Sequence, residues 1–124
     1  MYYEKLALEV GATVAGFTVL KPPVVKGASG VEQRFTFVAV DGPETYAFDV
    51  CTEVKEVEIV RAYLKKMDTG ANVFVVCLRG RPTPEARELA RNYGMDVLSP
   101  MEVGDFFSTR IEERVRAPKL ARTA

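Results

Sequence analysis

Histidine is absent from the 124-residue chain. That removes imidazole as acid, base or metal ligand, and with it Ser-His-Asp triads and His-bearing zinc sites. Chemistry must run on carboxylates, lysine, tyrosine, cysteine or a bound metal. Cysteine is scarce, with only Cys51 and Cys77. Two thiols make no disulfide framework, and no CxxC suggests zinc ligation or thioredoxin-like redox work. Both lie in apolar, strand-like runs, FDVC and VFVVC, where cysteine serves as a small hydrophobe. A bridge between neighbouring strands stays open, subject to Cα spacing. This thiol usage points to the cytoplasm. No apolar run approaches the roughly 18 residues of a membrane span. The opening MYYEKLALEV carries Glu4 and Glu9 too early for a secretion signal. No membrane partner is expected.

Net charge is also lacking: Lys+Arg and Asp+Glu both number 17. The total therefore predicts no strong nonspecific attraction to polyanions. The halves differ. Residues 1–62 hold six basic and nine acidic groups, giving −3, and residues 63–124 hold eleven and eight, giving +3. The segment 108–124 alone has five basic and two acidic groups. Such a tail is a solvated end or a nucleic-acid contact.

No repeat or low-complexity block appears. Leu6, Ala7, Val10 and Val14 stand at helical spacing over Tyr2 to Val14. Phe17 to Leu20 reads as a short strand, and KPPVVKGASG (21–30) as a loop. QRFTFVAV (33–40) alternates as a strand, Asp41-Gly42 signals a hairpin, and ETYAFDVC (44–51) returns. On that return strand Tyr46, Phe48 and Val50 share one face, and Ala47, Asp49 and Cys51 the other. One carboxylate thus sits on a small, apolar face, where a buried charge needs partners.

Thr52 is the expected cap of the next helix, with Val57, Val60, Leu64 and Met67 as its buried stripe and Gly70 past its end. NVFVVCL (72–78) has almost no polar side chain, the pattern of a central strand covered on both faces. Thr83-Pro84-Glu85 opens a helix that Gly94 closes, with Ala86, Leu89, Ala90 and Tyr93 as its apolar face. Met95 to Leu98 is a short strand. Ser99-Pro100-Met101-Glu102 is a capping box before a last helix through Phe106 and Phe107. The expectation is one α/β domain over 1–116, in the order α-β-β-β-α-β-α-β-α. A mixed central sheet of about five strands is flanked by helices, and a disordered basic tail covers 117–124.

The helix with Glu4, the GFTV strand, the GASGVE turn, the hairpin ending in FDVC, NVFVVCL and PTPEARELARNYGMDVLSP together resemble a known group. The chain is similar, over about residues 2–107, to the restriction-endonuclease-like PD-(D/E)xK nucleases, nearest to Mrr-type nucleases and archaeal Holliday-junction resolvases. The resemblance implies an acid near the start of the second strand and an acid-x-lysine on the third. Their carboxylates hold Mg²⁺, which activates water and neutralises the scissile phosphate. Carried over, the first acid falls on Glu32 and the second on Asp49, while Glu4 matches the acid on the first helix that assists the metal in some relatives. Two residues after Asp49 stands Cys51, and a neutral thiol does not replace an ammonium beside phosphate. A second registration uses Glu53-Val54-Lys55, a literal ExK, with Asp41 or Asp49 as the partner acid. In a first helical turn, Lys55 is placed to reach back toward Asp49.

The resemblance thus implies a nuclease-like DNA-binding protein with a weakened Mg²⁺ or Mn²⁺ site made by Glu32, Asp49 and Glu4, with Lys55 as the catalytic lysine. Arg79 and Arg81, in the loop after a central strand, are the expected phosphate contacts. The alternative is a non-catalytic interaction or scaffold domain that kept the fold, as a homodimer. Tyr2, Tyr3, Phe106 and Phe107 are candidates for core or dimer seam. No P-loop, GxGxxG, GxSxG or EF-hand loop competes.

Overall fold

A computed structural model describes residues 2–123, with side chains for 4–113 and Val115. The elements are α1 (Tyr2–Val14), β1 (Thr18–Val19), β2 (Val24–Lys26), β3 (Glu32–Arg34), β4 (Phe37–Asp41) and β5 (Glu44–Cys51). They continue with α2 (Glu56–Thr69), β6 (Asn72–Cys77), α3 (Pro84–Tyr93), β7 (Asp96–Leu98) and α4 (Pro100–Thr123). The expected disordered tail over 117–124 falls on residues whose side chains lie outside the described ones, as do those of Tyr2 and Tyr3.

A five-stranded mixed sheet runs β1-β4-β5-β6-β7. The β1–β4 and β4–β5 pairs are antiparallel, and β5–β6 and β6–β7 are parallel. The Asp41-Gly42 hairpin forms as expected, with Asp41 opposite Glu44 and Gly42 at φ 59°. The apolar run of β6 does hold the central position between two parallel neighbours.

The segment between β1 and β4 departs from the expectation. Residues 33–40 are not one strand. Glu32–Arg34 pairs with Val24–Lys26 in a separate antiparallel ribbon, so the expected loop 21–30 carries a strand of its own. The chain leaves the ribbon at Phe35, whose N–H goes back to the Pro23 carbonyl at 2.9 Å. It joins the sheet at Thr36, whose N–H goes to Phe48 O at 3.0 Å.

The two sheet faces are packed differently. On one, Phe17, Phe37, Tyr46, Phe48 and Phe107 gather under α1 and α4 with Leu8, Ala12 and Val103. Phe106 and Phe107 belong to this core, with ring centroids 5.3 Å apart. On the other face, Ala47, Val73, Val75 and Cys77 meet Ile59 and Ala62 of α2 and Ala86 and Ala90 of α3. Small residues on both sides allow these helices to lie close.

Helix ends follow the sequence signals, with one exception. Thr83 Oγ1 accepts from the Ala86 N–H at 3.1 Å, and Gly94 closes α3 at φ 65°. Ser99 and Glu102 form the expected capping box, with bonds of 3.0 and 3.2 Å. The exception is α2, whose cap is Lys55 rather than Thr52. Thr52 instead lends its carbonyl to the Arg79 N–H at 3.0 Å.

The apolar stripe of α2 is the main correction. The residues that reach the core are Ile59 and Ala62. Val57, Val60, Leu64 and Met67, expected inside, are 52%, 39%, 62% and 64% exposed.

Candidate functional site

The site is built around Asp49 on β5. Strand alternation places it with Ala47 and Cys51 on the face that α2 covers. There Lys65 of α2 meets it, with Nζ 2.8 Å from Asp49 Oδ2 and the side chains only 14% and 17% exposed. The same ammonium donates to the Arg34 carbonyl at 2.7 Å and lies 4.5 Å from the centroid of the Phe35 ring. Lys65 is thus held by a carboxylate, a carbonyl and a ring face at once.

Thr36 is the neighbour of Asp49 on the β4 side. Its Oγ1 accepts from the Val50 N–H at 3.0 Å. A hydroxyl, already used by the backbone, thus occupies the cross-strand position beside Asp49 on this side. Glu32 is elsewhere. It lies exposed on β3, opposite Lys26 in the ribbon, and β3 does not border β5. Glu4 belongs to α1, and with Val50 and Val76 it lines a groove on the opposite sheet face. The three carboxylates therefore do not converge. Among the described residues no group of three or more Asp, Glu, Cys or His side chains is placed to hold a metal ion.

Lys55 does not reach back to Asp49 in this structure. Its Nζ lies 3.9 Å from Glu53 Oε2, with both side chains largely exposed. Its backbone N–H donates to Glu58 Oε1 at 2.8 Å. The ExK stretch is therefore the loop and cap that start α2, not the end of a strand. The lysine that reaches Asp49 is Lys65, which sequence reasoning missed. One signal was present: Lys65 stands three residues after the buried Ala62, on the inward side of the helix.

Cys51 sits opposite Cys77 in the parallel β5–β6 register, and both thiols are free. Burial pushes the Cys51 thiol up to about 11, and the negative charges of Asp49 and Glu58 add to it. Lys65 counteracts only in part. Cys51 is therefore a neutral thiol at physiological pH and neither an ammonium substitute nor a nucleophile.

Arg79 and Arg81 are exposed in the loop after β6. Arg79 rims a hollow with Glu4, Thr52, Leu78 and Pro100. That hollow adjoins the α1–α4 groove, about 420 Å³ in volume, lined by Ala7, Gly11, Val103 and Phe107 among others. Among the described residues no helix is long and apolar enough to cross a membrane. No family model, curated protein or solved structure matches the chain.

Proposed function

We propose that this chain is a non-catalytic interaction domain carried on a mixed α/β frame of the nuclease-like kind. The observation that carries the reading is the closed Asp49–Lys65 pair. A metal-dependent nuclease needs its carboxylates free to hold the ion and needs at least two of them converging. Here the carboxylate that β5 places on the covered sheet face is ion-paired, and its neighbour across the strand is a threonine. Lys65 is in turn held by Asp49 and the Arg34 carbonyl, so its ammonium is not presented to a scissile phosphate.

The test is a cleavage assay with Mg²⁺ and with Mn²⁺ on linear and branched DNA. Wild type and Asp49→Asn are expected to be equally inactive. Metal-dependent cleavage by wild type that Asp49→Asn abolishes would overturn the reading and restore the nuclease assignment. In that event, loss of Arg79 and Arg81 should flatten the salt dependence of DNA binding by about 0.9 log units for each phosphate contact removed.

A further inference from the structure

The groove between α1 and α4 has the make-up of a small-molecule site. Val50, Val76 and Leu78 form its floor, at the carboxyl ends of the parallel strands β5 and β6, where α/β sheets receive ligands. At about 420 Å³ it has the size of a ligand pocket, and such pockets are mostly apolar with a few polar groups at one end. The α4 wall leaves room inside it, since a methyl at Gly104 meets nothing within 4 Å.

Its two ends differ. One opens into the hollow that Thr52 and Arg79 rim, and the two spaces share Glu4, Leu78 and Pro100. The other ends at Val14 and Ile111, without a charged group. From Glu4 to Val14 along α1, and from Pro100 to Ile111 along α4, the groove runs about 15 Å at the helical rise of about 1.5 Å per residue. The open end is positive. Glu4 already has a partner there: the amine of the N-terminus hydrogen-bonds its carboxylate and, with its own backbone N–H, holds it below the usual carboxylate value. Among the described residues the Arg79 guanidinium makes no ion pair and the Thr52 hydroxyl no hydrogen bond, and both side chains are exposed.

We propose that this groove binds a medium-chain monocarboxylate, with its carboxylate on the Arg79 guanidinium and the Thr52 hydroxyl and its apolar chain laid over the floor toward Val14 and Ile111. A guanidinium holds a carboxylate by paired, charge-assisted hydrogen bonds, and the hydroxyl adds a further donor. An extended chain of about twelve carbons, rising about 1.3 Å per bond, matches the length of the groove. The site lies on the opposite sheet face from Asp49 and Lys65, so it goes beyond the function proposed above and does not depend on it.

An amide NMR titration of the full chain with dodecanoate, kept below its micelle concentration, tests it. Wild type is expected to bind one acid per chain saturably, with the amides of Gly11, Arg79 and Gly104 shifting and those of Val57 to Met67 unmoved. Arg79→Ala should weaken binding on the order of tenfold by removing the charge-assisted bonds, and the methyl ester should bind wild type as weakly as the acid binds that variant. Gly104→Leu fills the groove from the α4 wall and should abolish binding. It should melt no lower than wild type, because Gly104 is exposed and a helix interior favours leucine over glycine. No saturable shift up to the solubility of the acid, shifts confined to the α2 stripe, or equal affinity for the ester would overturn the proposal. Binding seen only with phosphatidylglycerol vesicles would overturn it as well and assign the groove to a membrane surface.

Discussion

Lys65 is the residue on which this face of the protein turns. Its ammonium lies between Asp49, the Arg34 carbonyl and the Phe35 ring, largely out of water. Removing one member of such a pair strands the other charge, whereas removing both replaces a desolvated ion pair by apolar packing. Lys65→Met should therefore destabilise by about 3 kcal/mol in urea unfolding at pH 7. The double variant Lys65→Met with Asp49→Leu should lose clearly less than the two single losses added together. Strict additivity would mean the two groups do not interact. Asp49 was legible in the sequence as a carboxylate that needs a partner, because alternation put it among Ala47 and Cys51. Its partner was not. Lys55 is closer along the chain, and only the rotation of α2 decides that Lys65, sixteen residues away, arrives instead.

At the scale of the element, local chemistry was readable and orientation was not. The caps at Thr83 and Ser99, the Asp41-Gly42 turn and the glycines after α2 and α3 all act where their residue types place them. Helical spacing likewise identified which residues of α2 share a face. It carried no information on which face meets the sheet, and the small surface of Ala47, Val73 and Val75 favours Ala62 over Leu64. The break at Phe35 and Thr36 was hidden for a related reason: alternation continues through it, although the chain changes sheets. The glycines of α1 and α4 give a matched test. A methyl at Gly104 meets nothing within 4 Å, whereas one at Gly11 approaches the Phe107 ring at 2.9 Å. Gly104→Ala should stabilise by about 0.5–1 kcal/mol through helix propensity. Gly11→Ala should gain less or lose outright. Thermal melting of the two variants side by side checks this, and equal gains would show that Phe107 moves aside freely.

Across the whole molecule, stability is expected to be graded from the sheet centre outward. The long, paired β5 and β6 lie between two cores, while the β2–β3 ribbon is attached through Asp68 at the end of α2. Asp68 accepts from Gln33 Nε2, the Ser29 hydroxyl and the Ser29 N–H, at 2.8–2.9 Å. A side chain at Gly27 would land on that carboxylate, so the glycine is what lets the ribbon approach. Bonds from Gln33 and then from Ser29 hold the Asp68 carboxyl below its usual value. Its contribution is therefore complete above the ordinary carboxylate range and disappears as pH falls through the lowered folded value. Hydrogen exchange should show β5 and β6 amides slowest, and ribbon protection should fall on acidification before theirs does. In Asp68→Asn the acid step in the ribbon should vanish, and its persistence would assign the step to another group.

The ion pair beneath α2 also sets a direction. A helix with a continuous apolar stripe ordinarily turns it inward, and α2 lies about half a turn away from that arrangement. Rolling it over would bury Val57, Val60, Leu64 and Met67, but it would carry Lys65 into solvent and leave Asp49 facing hydrocarbon. The Asp49–Lys65 contact and the fit of Ile59 and Ala62 against the sheet thus favour the same rotation of α2, and that rotation is the one that keeps the stripe outside.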